Sequence, residues 1–158
     1  MGTARIATTI LLVGTTLAAC MQGSVDLATL QRDPASALRL TDATELGHFS
    51  GEQRLSPDGP VEAYDARVFG TQQSEAAVLD YYQRELARLG WKSDTLEAIR
   101  NTVELRAWAW CKRGMTARLA IEDKARAFRP DFYKGQDFQT VFEASLKGRD
   151  PNFEKCPG

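Results

Sequence analysis

The sequence predicts an α+β protein in which an antiparallel sheet of about five strands carries one main helix on one face, in the order β-β-α-β-β-β. Two observations support this fold class. Several segments alternate apolar and polar residues, as half-buried strands do, and one longer segment places its apolar residues at helical spacing. Turn-forming glycines and prolines separate these segments, and the chain has no internal repeat.

Length and composition favour one globular domain. The chain has 158 residues, 43% of them hydrophobic and 26% charged, which is typical of proteins with a core of their own. Lysines and arginines number 20, against 21 aspartates and glutamates. Proteins that bind nucleic acids normally have a concentrated excess of basic residues, so a nucleic-acid partner is not expected.

Two strands are predicted before the helix. The first runs from Thr44 to Glu52, and a turn follows over residues 56–60, where Ser, Pro, Asp and Gly are grouped. Residues 61–69 form the second strand, and its alternation puts three residues on one face: Tyr64, Ala66 and Val68.

The helix is the clearest element and runs from about Glu75 to Leu89. Ser74 suits the N-cap, where its hydroxyl accepts a hydrogen bond from the first turn, and Gly90 suits the left-handed residue after the last turn. Trp91 is expected to fold back onto the core. The apolar residues that share one helix face are Val78, Leu79, Tyr82, Leu86 and Leu89.

Three strands are predicted after the helix. Residues 102–111 and 115–121 form a hairpin around an Arg113-Gly114 turn, and residues 139–147 form the last strand. A loop rich in aromatic and charged residues, 128–138, precedes this last strand. In the first strand of the hairpin, alternation puts five residues on one face, which are Val103, Leu105, Ala107, Ala109 and Cys111.

The first twenty residues have the organisation of a secretory signal. A short basic start up to Arg5 precedes an apolar stretch, residues 6–17, which is too short to span a bilayer as a stable helix. The tetrapeptide that closes it, Leu17-Ala18-Ala19-Cys20, resembles the lipobox of bacterial lipoproteins. The alternative is an ordinary secretory signal with a chance cysteine near its end.

The resemblance to lipoproteins implies that the signal, residues 1–19, is removed and that Cys20 is acylated on its thiol and its new amino group. Residues 20–43 would then be the lipidated N-terminus and tether, and residues 44–158 a single α+β domain. Because Met21 rather than an aspartate follows the cysteine, the resemblance implies the outer membrane, facing the periplasm, in a Gram-negative cell. In a cell with one membrane, the domain would lie on the outer face of that membrane.

A second resemblance concerns the helix. The pattern V-x-x-Y-Y-x-x-x-L-x-x-x-G-W, from Val78 to Trp91, is similar to a motif of small uncharacterised bacterial envelope lipoproteins. In those proteins the helix follows a strand and precedes a hairpin. The resemblance therefore implies the same fold, and it brings no activity and no functional residue with it.

The two remaining cysteines, Cys111 and Cys156, form an even pair in a compartment that permits disulfides, so a bond between them is expected. The alternative is two unpaired thiols. Together with His48, the single histidine, these cysteines lack zinc-ligand spacing, and neither a metal nor a cofactor is predicted.

No catalytic residue is assigned from the sequence. His48 and Ser50 would share a strand face, but the G-x-x-S-G spacing around them differs from the G-x-S-x-G nucleophile elbow, and no orienting carboxylate is identifiable. Three other carboxylates are interpreted as part of a cross-strand ion-pair surface with Arg106 and Arg118; they belong to Glu104, Glu122 and Glu143.

Trp108 and Trp110 are the candidate binding residues, together with Arg106. If the alanines of their strand face the helix, both indoles lie on the open sheet face as an apolar patch suited to a protein, peptide or glycan. Two alternatives stay open. Either the aromatic loop or the N-terminal segment covers the indoles, or the two faces are reversed and the indoles belong to the core.

The sequence thus favours a non-enzymatic lipoprotein, tethered to a membrane, that binds another envelope component through a sheet face or the aromatic loop. A small-ligand carrier is the second hypothesis, and it requires an apolar cavity of at least a few hundred Å³. A minor hydrolase that depends on His48 is the third.

Overall fold

The computed structural model describes residues 25–57, 59–94, 106–122, 137–149 and 156. These residues form an α+β fold, as predicted, with six strands in the main sheet rather than five and a separate two-stranded hairpin. The elements in chain order are α1 (Leu27–Arg32), a 3₁₀ turn (Pro34–Ala37), β1 (Thr44–Gly51), β2 (Arg54–Ser56), β3 (Gly59–Val61), β4 (Tyr64–Thr71), α2 (Glu75–Arg88), β5 (Lys92–Ser93), β6 (Arg106–Lys112), β7 (Met115–Ile121) and β8 (Thr140–Gly148).

The main sheet has the spatial order β1-β4-β8-β7-β6-β5, and every neighbouring pair is antiparallel. Helix α2 carries the chain across one face, from β4 near one edge to β5 at the other. The strands β5 to β8 then run back as a meander until β8 pairs with β4. The last strand before the helix, β4, and the last strand described, β8, therefore pair with each other inside the sheet.

Helix α2 has the caps and the buried face that the sequence predicts. The Ser74 side chain accepts a hydrogen bond from the backbone N–H of Ala77, and Gly90 has a φ of 82° just after the last turn. Trp91 follows at 3% exposure, so it does fold back onto the core. The buried residues of α2 are Val78, Tyr82 and Leu86.

The turn between β6 and β7 also agrees with the sequence. Arg113 and Gly114 have φ values of 46° and 76°. Two consecutive residues with positive φ are typical of the primed turns whose twist matches an antiparallel hairpin. The hairpin register therefore starts with Lys112 opposite Met115.

The orientation of the hairpin is the reverse of the one that the binding hypothesis assumed, and it matches the alternative in which the tryptophans face the core. The sheet face that packs against the helices, here called the helix face, carries Trp110, Leu119 and Phe142, and the Tyr82 ring of α2 contacts the Phe142 ring edge-on at 5.7 Å. Ala107 and Ala109, which alternate with the tryptophans, lie on the opposite, second face. Alternation separates two sets of side chains, but it cannot say which set faces inward when both are apolar.

The second face is buried as well. Its small apolar residues are at most 7% exposed; they are Ala66, Val68, Ala107, Ala109, Ala120 and Val141. Near one end of this face, the ring of Phe138 lies directly on Gly70, where a Cβ would have no room. Among the described strands, neither face of the central sheet is open to solvent as the binding hypothesis required.

The interpretation of residues 20–43 as a tether needs correction for residues 25–43, which the structure describes. Helix α1, capped by the Asp26 side chain, packs over β4 and β8, and Leu30 is fully buried. The ammonium group of Lys112 on β6 lies 3.0 Å from the carboxylate of Asp33. Leu40 is also in the core, at 5% exposure. Residues 25–43 thus contribute to the core of the described domain.

The disulfide between Cys111 and Cys156 is present, with their Cα atoms 5.8 Å apart, as expected from the cysteine count. A buried ion pair lies near Cys111 on the second face, where Arg149 Nη1 is 2.6 Å from Asp94 Oδ2. Both side chains are at most 6% exposed. Burying these two charges is tolerable because they are paired at hydrogen-bonding distance.

Candidate functional site

A group of polar side chains lies on the helix face where β1 and β4 pair, and we call it the His48–Asp65 cluster. It comprises Gln31 of α1, Glu45 and His48 of β1, and Asp65 and Arg67 of β4. The register places His48 opposite Arg67, so their side chains point to the same face. Helix α1 packs against β4 and β8 on this face, and its Gln31 side chain reaches the cluster.

Asp65 is the centre of this cluster. Its side chain is 2% exposed, and its Oδ1 lies 2.8 Å from Nε2 of His48 and accepts a second hydrogen bond, of 3.3 Å, from the amide of Gln31. The guanidinium of Arg67 lies 4.0 Å from the other carboxylate oxygen and 3.4 Å from Glu45. A buried carboxylate needs such partners, because burial without them costs several kcal/mol.

The cluster has an evident structural role. Asp65 on β4 joins the edge strand β1 through His48 and the first helix through Gln31. An edge strand such as β1 is hydrogen-bonded to a neighbouring strand on one side only. The side-chain bond from His48 to Asp65 therefore supplements the backbone hydrogen bonds that hold β1 to β4. The three elements joined here are far apart in sequence, which is why the sequence could not indicate them.

The geometry also fixes the histidine ring. An ionised carboxylate only accepts hydrogen bonds, so Nε2 of His48 carries a proton and Nδ1 is left to face another group. The His48 side chain is 37% exposed, and no hydrogen bond among the described residues uses Nδ1. A histidine oriented in this way by a buried carboxylate has the arrangement of a general base or a recognition residue.

Ser50 lies two residues beyond His48 on the same strand face and directly opposite Asp65. His48 and Ser50 share a strand face in the sequence pattern, which shows no carboxylate to accompany them. Asp65 supplies that carboxylate from the neighbouring strand. The signal that could have found it is the pair of charged residues, Asp65 and Arg67, at alternate positions in an otherwise apolar strand.

A small cavity lies beside the cluster, between the 3₁₀ turn, α2 and the sheet. It has a volume of about 20 Å³, and its wall includes Asp65, Arg67, Phe69, Tyr82 and Trp110. This space is enough for about one water molecule, whereas pockets for small organic ligands are typically about 300–1,000 Å³. This cavity therefore gives no support to the hypothesis of a small-ligand carrier.

Tyr82 closes the floor of this cavity. Its hydroxyl donates a hydrogen bond of 3.1 Å to the carbonyl of Leu38, which attaches the segment after the 3₁₀ turn to α2. Burial of the phenol raises the pKa of Tyr82 well above its usual value of 10.0. Tyr82 is therefore neutral in the folded protein and acts as a hydrogen-bond donor over the accessible pH range.

The predicted aromatic binding patch is not formed. Trp110 is 4% exposed in the core, and Trp108 is half-buried and packs against the same core. Arg106 is exposed, but its guanidinium is paired with the carboxylate of Glu75 at the start of α2. The structure therefore realises the alternative in which the tryptophan face is the helix face. Residues 128–136 of the aromatic loop, as well as Cys20, lie outside the described residues.

The predicted surface of cross-strand ion pairs is partly present. Arg118 and Glu143 lie on adjacent strands with their charged atoms 4.0 Å apart, on the second face. Arg106 is not part of it, because it pairs with the helix on the other face. Glu104 lies outside the described residues.

Among the described residues, the large apolar side chains that stand out in solvent are Leu55, 80% exposed, and Tyr64, 39% exposed. Leu55 lies on the β2–β3 hairpin, which joins β1 to β4. The Tyr64 ring covers Gly51, its partner across β1 and β4, so closely that a Cβ there would lie 2.5 Å from the ring. Tyr64 thus has a packing role, and Leu55 has none that the described residues explain.

Two features are absent from the described part of the chain. No group of three or more His, Cys, Asp or Glu residues there is arranged to hold a metal ion. None of the helices described combines the length and the apolar character that crossing a bilayer requires. Comparison with protein-family models, with curated proteins and with solved structures found no match to this chain.

Proposed function

We propose that this protein is a lipid-anchored component of the bacterial envelope, without enzymatic activity, whose domain is held at a membrane surface and binds another envelope component there. The lipobox-like tetrapeptide ending at Cys20 motivates the anchor. The observation that carries the proposal is the position of Val25, which packs against the sheet five residues after Cys20.

This short spacing has a physical consequence. Five residues span at most about 17 Å even when fully extended. An acylated Cys20 would therefore hold the folded domain against the bilayer rather than on a long flexible tether. An anchored domain meets other envelope components in two dimensions, at a high effective concentration, so even a weak surface contact becomes effective.

The surface that we assign to the envelope partner is the solvent side of β1 together with the His48–Asp65 cluster. Glu45, His48 and Ser50 are exposed or half-exposed on a strand at the sheet edge. Edge strands are frequent sites of pairing with other chains. The buried Asp65 holds the His48 ring in place, so the polar group it presents to a partner is fixed before binding.

The anchor is tested by intact mass measurement and fractionation of the expressed protein. We expect a mature chain that begins at Cys20, carries acyl chains and sediments with membranes. Cys20→Ser is the control, since it removes the thiol and should abolish both lipid attachment and processing. A freely soluble protein with an unmodified Cys20 would contradict the proposal.

The partner surface is tested by crosslinking in intact cells, with two variants that each introduce an arginine at an exposed position. Ser50→Arg places it on the β1 surface, and Gln83→Arg places it on the outer side of α2. We expect a crosslinked species that is lost in Ser50→Arg and kept in Gln83→Arg. Equal loss or equal retention in both variants would show that β1 is not the contact surface.

A second candidate function is a minor hydrolase, and the observation that favours it is the 2.8 Å contact between His48 and the buried Asp65. Ser50 on the same face is the group that such a base would activate. The test measures turnover of ester and peptide substrates by wild-type protein, His48→Ala and Ser50→Ala. Turnover that both substitutions abolish would replace the non-enzymatic proposal, and equal background in all three would exclude this alternative.

A further inference from the structure

One end of the main sheet is marked by Val25, the first residue that the structure describes. Val25 lies against Gly114 and Gly148, and a Cβ on Gly148 would come within 3.1 Å of the Val25 carbonyl. Pairing across the sheet aligns this end along one row, and we call it the Val25 end. The row consists of Gly51, Tyr64, Lys147, Thr116, Cys111 and Lys92.

The β2–β3 hairpin extends from the Val25 end, because β1 finishes there at Gly51 and β4 starts there at Tyr64. The side chain of Leu55, near the middle of β2, is 80% exposed. A leucine that projects from a tight hairpin removes no apolar surface from water in the isolated domain. A single exposed leucine is ordinary on a protein surface, and the position of Leu55, on a hairpin at the end of the sheet that carries Val25, is what places it where it could enter a membrane interface.

The exposed charges at the Val25 end are mostly positive. Four described cations are exposed there: Arg54, Lys92, Arg113 and Lys147. Lys112 is neutralised by Asp33. The described carboxylates at this end are those of Asp26 and Glu52, which are exposed, and Glu62, which is half-buried. The cations therefore outnumber the solvent-facing carboxylates at this end.

The opposite end of the sheet has the reverse character. Its described charged residues are mostly acidic, namely Asp42, Glu45, Glu75, Glu122 and Asp137, and two of these are paired, Glu75 with Arg106 and Glu45 with Arg67. The described part of the molecule thus carries more positive charge at the Val25 end and more negative charge at the far end of the strands. An anionic surface attracts the first end and repels the second.

We propose that the Val25 end docks directly on anionic phospholipid, with Leu55 in the interfacial region of the bilayer and the four cations over the headgroups. This inference rests on the proposed lipid anchor at Cys20, which would bring that same end within about 17 Å of the bilayer. An exposed leucine beside basic residues is the combination that interfacial segments use. Each lysine or arginine near an anionic leaflet strengthens attachment about fivefold.

Docking fixes the orientation of the whole domain. With the Val25 end on the lipid, the strands stand away from the bilayer, and the acidic end points into the aqueous compartment. The anchor alone would keep the Val25 end near the bilayer but leave the domain free to tilt, since a single point of attachment does not fix an orientation. The hairpin and the cations supply the second point of attachment that an orientation needs.

The test uses the mature, acylated chain in nanodiscs of phosphatidylcholine, with and without phosphatidylglycerol, that carry a trace of lipid with a paramagnetic headgroup. Relaxation enhancement is measured at backbone amides. In discs with phosphatidylglycerol, we expect severalfold stronger enhancement at Leu55 and Arg113 than at Thr44 and Ile121. The difference should shrink without phosphatidylglycerol, and also in about 1 M salt, where the Debye length is about 3 Å.

Variants separate the two contributions. Leu55→Ser should weaken the enhancement at the hairpin in both lipid compositions, and Arg54→Glu with Lys147→Glu should remove its dependence on phosphatidylglycerol. Arg84→Glu is the matched control, because it makes the same charge change on α2 at a side chain 66% exposed. The control should behave like the wild-type protein.

Two results would overturn the inference. Equal enhancement at both ends of the sheet would mean that the domain has no fixed orientation, and an enhancement independent of lipid charge would mean that the cations do not contact the headgroups. If Cys20 is acylated and either result is found, the proposed anchor stands and only the docking fails. If mass measurement shows Cys20 unmodified, both proposals fail together.

Discussion

Replacing Leu30 by alanine tests whether the segment before β1 belongs to the folded core. Leu30 is fully buried in the cluster that contains Phe69 and Phe142. The substitution removes three buried carbon atoms, which corresponds to about 2.4 kcal/mol of transfer free energy. The cavity left behind adds to this cost, because the sheet under α1 cannot fully collapse, so we expect a loss of about 3–4 kcal/mol.

The assay is urea unfolding of the mature protein in mild detergent, followed by tryptophan fluorescence, to which the buried Trp91 and Trp110 contribute. Leu55→Ala is the matched control, because the same atoms are removed from a side chain that is 80% exposed. We expect the control to lose no more than about 0.5 kcal/mol. If Leu30→Ala costs less than about 1 kcal/mol, the packing of α1 contributes little, and residues 25–43 behave as a tether after all.

Three further outcomes are expected. Ser74→Ala should lower the free energy of unfolding by about 1 kcal/mol, measured in urea, because α2 loses its N-cap; no change would mean that water replaces the cap without cost. Because burial raises the pKa of Tyr82 above the value of 10.0 expected in the unfolded chain, the stability contributed by its neutral form is complete below pH 10 and is lost as the pH rises further. Tyr82→Phe should therefore flatten the alkaline part of the stability profile, and an unchanged profile would contradict the buried phenol. The Cys111–Cys156 disulfide closes a loop with a sequence separation of 45 residues, so its reduction should lower the free energy of unfolding by about 4 kcal/mol, measured by thermal unfolding. A reduced protein as stable as the oxidised one would show that the disulfide does not stabilise the fold.

The His48–Asp65 cluster shows how much of a site sequence analysis can reach. Both members of the β1 surface, His48 and Ser50, were identified as neighbours on one strand face because strand alternation is local. Their carboxylate was missed because Asp65 lies 17 residues from His48 and reaches it only through the pairing of β1 with β4. The register between β1 and β4 depends on the segment that connects them, which is the β2–β3 hairpin. A single sequence does not determine that register.

Helix α2 and the β6–β7 turn followed from the sequence alone. The cap at Ser74, the apolar spacing along the helix, and the positive φ values at Arg113 and Gly114 are short-range features, and the physical reasons for them lie within a few residues of each site. The pairing of Cys111 with Cys156 followed from the number of cysteines together with the expected compartment. These features needed no knowledge of the distant parts of the chain.

Only the tertiary structure decided which side of the hairpin faces the helices and which segments cover it. Trp110 and Ala109 alternate on β6, and both are buried, so periodicity gave two sets of side chains without an inside or an outside. Helix α1 has six residues, too few to show an apolar stripe, yet Leu30 fills the core because β4 and β8 provide a surface for it. In both cases the deciding free energy comes from contacts between residues far apart in sequence, and those contacts exist only once the chain has folded.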